Sequence, residues 1–225
     1  MTAGETPEPL PVQLVLFDMD GVIADTEPFH LEATRRLLAA EGHDLTEGEN
    51  REFLGNTDHD YFTALKERFG LAHPVEQYVR AKAVEVIGIL RGNVAPNPGV
   101  CELLLELRMR SLPACVASSS VPMLIDAVVD SLGLRSSFAG LFSASEVARG
   151  KPAPDLFLHA ADRSGVSPEH CLVIEDAPNG IEAARAAGMR VVAVRTETTA
   201  GLDLSAADLV LDSLTAFDPE ILHAD

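Results

Sequence analysis

The sequence predicts a doubly wound α/β fold, in which helices cover both faces of a parallel sheet and an all-α domain is inserted after the first strand. Two observations support this prediction. Six short apolar runs have the composition of buried strands, and from residue 98 onward they alternate with helical stretches. Most runs are apolar at nearly every position, which is typical of parallel strands covered on both faces.

The predicted strands are short segments rich in Val, Leu and other apolar residues. They cover residues 12–17, 113–119, 140–144, 171–176, 190–194 and 208–212. The helical stretches between the later strands cover residues 99–110, 121–134, 153–165 and 179–188. Strand and helix therefore alternate as in βαβ units, the building blocks of parallel sheets.

The first strand is followed by a long segment that contains no strand-like run and predicts helices instead. These helices are expected at residues 26–41, 46–53, 58–69 and 75–91. The borders of the segment, "GVIADTEP" and "RGNVAPNPG", are polar or flexible, as expected for two hinges. The sequence therefore predicts a helical domain at 27–93 and a core formed by 1–26 and 94–225.

Composition favours a soluble globular protein that does not bind polyanions. The chain has 225 residues, of which 47% are hydrophobic and 23% charged, enough to bury a sizeable core. Seventeen Lys and Arg against 35 Asp and Glu give a net charge of −18, which repels nucleic-acid phosphates and anionic lipids. The sequence also contains no apolar run long enough to span a membrane.

The cysteines and the first residues favour a cytoplasmic location. Cys101, Cys115 and Cys171 form an odd set without C-x-x-C spacing, and each lies among apolar sequence neighbours. We expect free thiols that behave as small hydrophobes in a reducing cytoplasm. The opening "MTAGETPEPLP" is acidic and rich in proline, so we expect a loose tail and not a signal peptide.

Two aspartates follow the first predicted strand in the stretch "VLFDMDGVIADTEPFH". Asp18 and Asp20 are two positions apart, and in an extended segment such residues point to the same side. Both carboxylates are therefore expected to face one site. A turn at Asp20 and Gly21, with Asp18 as a helix cap, explains this motif equally well when it is considered alone.

Three further motifs lie at the ends of later predicted strands. They are Ser118 in "VASSS", Lys151 in "GKPAPD", and Glu175 with Asp176 in "IEDAPNG". Each alone is explained by a helix cap or by a solvated surface charge. In an open parallel sheet, however, ligands bind beyond the carboxyl ends of the strands, and all four motifs end at that edge. We therefore expect them to form one site.

The four motifs, in their order and spacing, resemble the haloacid dehalogenase superfamily, in the branch with a small helical cap inserted after the first motif. Together with the cap, they cover nearly all of the chain. The resemblance implies a sheet with strands in the order 3-2-1-4-5-6, which places the first strand beside the strand at 171–176. Asp18, Asp20 and Asp176 would then come together.

The resemblance implies a Mg²⁺-dependent phosphoryl transfer, and the residue types suit that chemistry. Asp18 and Asp176 would hold Mg²⁺ together with the backbone carbonyl of Asp20, and Glu175 would ligate or support the ion. Lys151 would add a fixed positive charge beside the transferred group. The superfamily's hydrolytic dehalogenases lack the second aspartate and need no metal, so phosphoryl transfer is favoured over dehalogenation.

Each residue of the expected site has a role in this chemistry. Asp18 would attack the phosphorus atom and form an aspartyl-phosphate. Asp20, protonated at the start, would donate to the leaving oxygen and then take a proton from the attacking water. Ser118 and backbone N–H groups would donate to the phosphoryl oxygens. Ser119 and Asn179, next to these motifs, are expected to contact the substrate.

Similar proteins select their substrates with the cap. The central cap loop "EFLGNTDHDYF" offers Gly55, Asn56 and Thr57 to a small polar substrate, although Thr57 also suits the N-cap of the next helix. Glu27 and His30, at the hinge into the cap, are expected to contact the substrate. His30 fits a helix interior equally well.

Other cap positions bear on the choice between hydrolysis and mutase chemistry. The β-phosphoglucomutase relatives carry a lysine and an arginine in the central cap loop, where this chain has Leu54 and Asp58. That departure favours hydrolysis. Arg80 and Lys82, on the last cap helix, could reach an anionic substrate, but a solvated charged face is favoured for them.

The sequence thus predicts a phosphatase that acts on a small phosphorylated metabolite, with a sugar phosphate favoured, and the resemblance implies a monomer. A β-phosphoglucomutase-type phosphotransferase and a non-catalytic binding module of the same fold are the alternatives. The sequence does not select one ester, because a cap of small polar residues suits sugar phosphates, polyol phosphates and nucleotides alike.

Overall fold

The computed structural model describes residues 10–51 and 57–222 of the chain. Parallel strands form one six-stranded sheet in the order β3-β2-β1-β4-β5-β6. The strands are β1 (Leu14–Phe17), β2 (Ala114–Ser118), β3 (Gly140–Ser143), β4 (Cys171–Glu175), β5 (Arg190–Val194) and β6 (Leu209–Leu211). The predicted fold class and strand order are confirmed.

The α-helices of the described residues fall into an inserted group and a group that alternates with strands. The inserted group is α1 (Glu27–Ala40), α2 (Glu47–Arg51), α3 (Asp58–Phe69) and α4 (Val75–Leu90). The alternating group is α5 (Val100–Met109), α6 (Pro122–Ser131), α7 (Asp155–Ser164) and α8 (Pro178–Ala186). The four inserted helices are called the cap below.

The central strand, β1, is buried along its whole length and sends side chains to both faces of the sheet. Val15 and Phe17 join the apolar cluster that includes α5 and α6, and Leu14 and Leu16 join the cluster that includes α7 and α8. This division follows from the alternation of side chains along a strand. Burial on both faces explains why the strand is apolar at every position.

The register of β1 positions the residues that follow it. Phe17 pairs with Val116 in β2 and with Ile174 in β4. Because the three strands are parallel, their carboxyl ends meet at the same edge of the sheet. The chain beyond β1 therefore emerges between the ends of β2 and β4.

The cap has an apolar cluster of its own, which includes Leu38, Phe62 and Leu65. It also packs onto the core, because Ala83 and Val86 of α4 belong to the cluster on the α5/α6 side of the sheet and α4 contacts α6. The predicted helix at 46–53 is described up to Arg51, at the border of the described residues. The division of the chain at 27–93 stays a prediction.

The three cysteines are free thiols in different surroundings. Cys115 and Cys171 are buried, as expected of small hydrophobes, whereas Cys101 is exposed. The expectation was wrong for Cys101, although its sequence neighbours are apolar. Cys101 lies on the solvent side of α5, while Val100 and Leu104 face the core. Among the described helices, none combines the length and the apolar character that crossing a membrane requires.

Candidate active site

A cavity of about 360 Å³ lies between the carboxyl edge of the sheet and the cap. Its lining combines carboxylates, hydroxyls and two lysines from segments far apart in the sequence. The core contributes Asp18, Asp20, Ser119, Ser120, Lys151, Glu175, Asp176, Ala177, Pro178, Asn179, Thr198, Thr199 and Leu202, and the cap contributes Glu27, His30, Asn50, Asp58, Tyr61 and Lys82.

Asp18, directly after β1, forms a buried ion pair with Lys151. The distance from Lys151 Nζ to Asp18 Oδ1 is 2.5 Å. The same ammonium group donates to Glu175 Oε1 at 2.7 Å and to the carbonyl oxygen of Ala117 at 3.2 Å. Although burial opposes its charge, Asp18 and Glu175 raise the pKa of Lys151 above its ordinary value. Lys151 is therefore a fixed cation within the site and not a surface charge.

Glu175 organises the end of β4. While its Oε1 atom accepts from Lys151, its Oε2 atom accepts from the backbone N–H groups of Asp176 and Ala177, at 2.8 and 2.9 Å. A Cβ atom at Gly180 would lie 1.7 Å from Glu175 Oε1, so the first turn of α8 can pack here only with glycine at that position. The geometry therefore favours a supporting role for Glu175, because both of its oxygens already accept hydrogen bonds.

Three carboxylates form an acidic cluster at this edge. One oxygen from each of Asp18, Glu175 and Asp176 lies within 4.8 Å of the others. Burial raises the pKa of Asp18 above its ordinary value, although Lys151 acts in the opposite direction. Burial, with Glu175 and Asp18 nearby, also raises the pKa of Asp176. Because hard oxygen ligands suit Mg²⁺ and a cation would relieve this repulsion, the residues fit the predicted ion.

Gly21 allows the loop after β1 to pass close to Asp176. Its φ of +84° lies in the left-handed region, and a Cβ atom there would be 2.1 Å from Asp176 Oδ2. On the other side of Asp176, Thr196 donates to Oδ2 at 3.1 Å. The D-x-D-G motif therefore needs its glycine for a close approach as well as for a turn.

Asp20 lies at the centre of a group of hydrogen-bond donors. Thr26 and Ser120 donate to its carboxylate, the latter at 3.1 Å, and His30 Nε2 lies 3.3 Å from Oδ1. Burial acts in the opposite direction, but the hydrogen bonds from His30, Thr26 and Ser120 hold the pKa of Asp20 well below its usual range. These donors favour the ionised form of Asp20, and its protonation at the start of the reaction stays a prediction.

The serines at the end of β2 have different surroundings. Ser118 is buried, accepts from the backbone N–H of Ser120 at 3.0 Å, and lies 3.4 Å from Asp20 Oδ2. Ser119 lines the cavity, as does Asn179 at the first turn of α8. Sequence reasoning missed the cavity residue Ser120, although "VASSS" gave three hydroxyls from which to choose.

The predicted substrate contacts in the cap have different outcomes. Glu27 and His30 line the cavity. Thr57 is not among the lining residues, and its hydroxyl caps α3 by accepting from the backbone N–H of Asp60 at 3.2 Å. Gly55 and Asn56 lie outside the described residues.

Lys82 was expected in solvent and is instead buried, with a relative exposure of 5%. Its Nζ atom donates to Asp58 Oδ1 at 2.5 Å and lies 5.4 Å from the centroid of the Tyr61 ring. Arg80, two residues earlier, is exposed as predicted. The charge pattern along α4 did not predict that Lys82 is buried while Arg80 is exposed. The burial of Lys82 depends on the packing of α3 against α4.

A family model described as a haloacid dehalogenase-like hydrolase matches residues 12–188 of this chain. The chain belongs to this family. The match covers all four sequence motifs together with the cap. The resemblance inferred from those motifs is therefore confirmed.

Several curated relatives of this haloacid dehalogenase-like hydrolase are named as phosphatases. A "Probable pseudouridine-5'-phosphatase" of Drosophila melanogaster is 36% identical over 214 residues, which cover 91% of each chain. The fructose-1-phosphate phosphatase YqaB of Escherichia coli is 37% identical over 181 residues, which cover 80% of this chain and 95% of that protein. The family match and these relatives identify the hydrolase as a phosphatase.

Solved structures give the same fold with the cap included. CbbY from Rhodobacter sphaeroides, in complex with phosphate, superimposes with a TM-score of 0.84 at 27% identity, covering 91% of this chain and 96% of that chain. A variant of that protein was solved in complex with xylulose-(1,5)bisphosphate, with the same TM-score, identity and coverage. Bound phosphate and a sugar bisphosphate therefore both occur among the structural relatives.

Proposed function

We propose that this phosphatase is a Mg²⁺-dependent hydrolase that removes the phosphoryl group from a small phosphorylated metabolite, a sugar phosphate, through an aspartyl-phosphate on Asp18. The observation that carries the proposal is the buried contact of Asp18 with Lys151 beside Glu175 and Asp176. The proposed carboxylate nucleophile and a fixed cation would therefore act together at the carboxyl edge of the sheet.

The role of Asp18 follows from electrostatics. A phosphate monoester is dianionic and repels a carboxylate, so attack requires positive charge close to both. Lys151 supplies one charge that is always present, and Glu175 holds its ammonium group in place. Asp18 would attack in line, forming the bond from its carboxylate oxygen to phosphorus as the bond to the ester oxygen breaks.

The acidic cluster is the proposed Mg²⁺ site. Asp18, Asp176 and the backbone carbonyl of Asp20 would hold the ion, with Glu175 in support. When bound, Mg²⁺ supplies positive charge that neutralises the phosphoryl oxygens. This assignment rests on the close approach of the three carboxylates and on the hard oxygen character of the ligand set.

Asp20 is the proposed general acid and base. It would protonate the leaving ester oxygen and then accept a proton from the water that hydrolyses the aspartyl-phosphate. The acid role requires that Asp20 take up a proton first, since its hydrogen bonds from Thr26 and Ser120 favour the carboxylate. Ser119 and Asn179, which line the cavity, and the buried Ser118 beside them would donate to the oxygens of the phosphoryl group.

A panel of phosphorylated metabolites and one generic aryl phosphate, each with Mg²⁺, tests this proposal by release of inorganic phosphate. We expect hydrolysis of the aryl phosphate and of at least one sugar phosphate, and loss of both activities after chelation. Hydrolysis that survives exhaustive removal of metal would contradict the mechanism. We also infer a cytoplasmic location from the free cysteines and a monomer from the family resemblance. Size-exclusion chromatography would test the monomer.

A further inference from the structure

The cap side of the cavity carries a buried ion pair that the proposed chemistry does not use. The side chains of Lys82 and Asp58 are 6% and 18% exposed, and Lys82 Nζ lies 2.5 Å from Asp58 Oδ1. Both residues line the same cavity as Asp18 and Lys151. The pair therefore faces the part of a substrate that extends away from the reacting phosphoryl group.

The charge balance around the pair is acidic. The lining residues of the described part of the cap include one lysine, Lys82, and two carboxyl groups, Glu27 and Asp58. Burial raises the pKa of Glu27, while Lys82 acts in the opposite direction. The single ammonium group is already matched by the carboxylate of Asp58, so the lysine that the described cap residues contribute has no surplus charge to offer an anion.

We propose that the Asp58–Lys82 pair determines which leaving group the cavity accepts, favouring a neutral, polyhydroxylated group and rejecting one that carries a second phosphate. This inference rests on the proposed function, because it assigns the chemical class of the leaving group at that same site. The expected substrates of this enzyme are therefore sugar or polyol monophosphates.

The pair suits hydroxyl groups. An ammonium group has three N–H donors, and a carboxylate has several lone pairs, so each member can bond a hydroxyl while the pair stays intact. Tyr61 and Asn50, which bond each other through the Tyr61 hydroxyl at 2.5 Å, add further polar groups to the same wall. A leaving group with several hydroxyls would exchange its hydrogen bonds with water for hydrogen bonds with this wall.

A second phosphate does not suit the pair. It would bring a charge of nearly −2 toward two carboxyl groups, and Lys82 could neutralise it only by leaving Asp58. A buried carboxylate that loses its partner is costly, so this exchange is unfavourable. We therefore expect kcat/KM for a sugar monophosphate to exceed that for the matching bisphosphate by about tenfold or more.

Substitution of either member should shift this preference, in opposite directions. Fructose 1-phosphate and fructose 1,6-bisphosphate are the probes, assayed by phosphate release with Mg²⁺. In Asp58→Asn, Lys82 gains an uncompensated charge, so the preference for the monophosphate should shrink or invert. In Lys82→Met, the carboxylate of Asp58 is unpaired, so the preference should grow while kcat/KM for the monophosphate falls.

The exposed pair between His59 and Glu76, 3.8 Å apart on the same two helices, provides a matched control. Glu76→Gln changes the net charge by the same amount as Asp58→Asn but does not face the cavity, so it should leave the preference unchanged. Asp58→Asn keeps the shape of the side chain and decides the question by itself if Lys82→Met does not fold. Equal shifts in Asp58→Asn and Glu76→Gln, or no shift in either, would overturn the inference.

Calorimetric binding of both probes to Asp18→Asn protein separates this inference from the proposed function. Selective binding of the monophosphate, with no phosphate release by the unmodified enzyme, would overturn the proposed function alone. Phosphate release with equal kcat/KM for the two probes would overturn the assignment of the pair alone.

Discussion

The buried contact between Asp18 and Lys151 joins the proposed nucleophile to the fixed cation of the site. From the sequence alone, a solvated surface charge also explained Lys151. In the structure it contacts both Asp18 and Glu175. Burial makes such contacts strong, because water no longer screens them. Each side chain of the cluster is therefore sensitive to small changes in the charge or shape of its neighbours.

Asp18→Asn should abolish turnover, because it removes the nucleophile while keeping the shape of the side chain. We expect kcat to fall by at least about a thousandfold. Lys151 keeps Glu175 as a partner, so the thermal unfolding midpoint should stay close to that of the unmodified protein. Asp126→Asn, at an exposed ion pair with Arg135, is the control that should keep full activity. Near-normal phosphate release by Asp18→Asn would show that another group attacks.

Gly21→Ala should lower both stability and activity. The left-handed φ of +84° costs about 1–3 kcal/mol for a residue with a side chain, and the new Cβ atom would displace the Asp176 carboxylate. We expect a higher Mg²⁺ requirement in the phosphate-release assay. Gly42→Ala is a close match, since its φ is +83° with open space around the added atom. It should lose stability alone, so an equal loss of activity in both variants would refute the close-approach argument.

At the scale of elements, the two connections between core and cap are tied to each other. Asn97, on the return from α4, donates through Nδ2 to the carbonyl oxygens of Gly21 and Val22 at 2.6 and 3.1 Å. Its backbone N–H donates to the carbonyl oxygen of Ile23 at 2.8 Å. The loop that carries Asp20 is therefore held by the segment that leaves the cap.

Asn97→Ala should destabilise this junction, because two carbonyl groups lose their donor. We expect the free energy of unfolding to fall by about 1–3 kcal/mol, as measured by urea denaturation. Asn93→Ala is the control from the same segment, since Asn93 donates through Nδ2 to a single exposed carbonyl oxygen, that of Ile89. Its effect should stay within about 0.5 kcal/mol. Equal losses in the two variants would show that the junction adds nothing specific.

At the scale of the whole molecule, cap and core close around one cavity in a chain with a net charge of −18. A mutase must retain a bisphosphate intermediate and keep water from the aspartyl-phosphate between its two half-reactions. The described cap residues pair their cavity lysine with Asp58, which leaves little positive charge for a distal phosphate. Water is therefore the expected acceptor.

With β-glucose 1-phosphate and a trace of the 1,6-bisphosphate, we expect the enzyme to release inorganic phosphate and to form little glucose 6-phosphate. Coupled assays for both products in the same reaction measure the ratio. Faster formation of glucose 6-phosphate than of phosphate would replace the phosphatase assignment with the mutase alternative.

Local patterns were enough to predict the sheet and the motifs at its edge. Continuous apolar runs marked parallel strands, and residues such as Asp18 and Asp176 followed those runs directly. The hydrogen-bond partners of Asp20 were harder to predict, because Ser120 lies 100 residues away in the sequence. Only the pairing of β1 with β2 brings the two loops together.

The sequence by itself determined the fold class, the strand order through its resemblance to a family, and the residue types at the carboxyl edge of the sheet. The fold class and the residue types follow from short-range periodicity and from residues adjacent to strands. The tertiary structure decided which charges are buried. Lys82 was expected in solvent and pairs with Asp58, and Asp20 accepts hydrogen bonds from Thr26 and Ser120 that its neighbours in the sequence did not reveal. The reason is that burial and partner distance depend on how separate helices and loops pack, which no local pattern records.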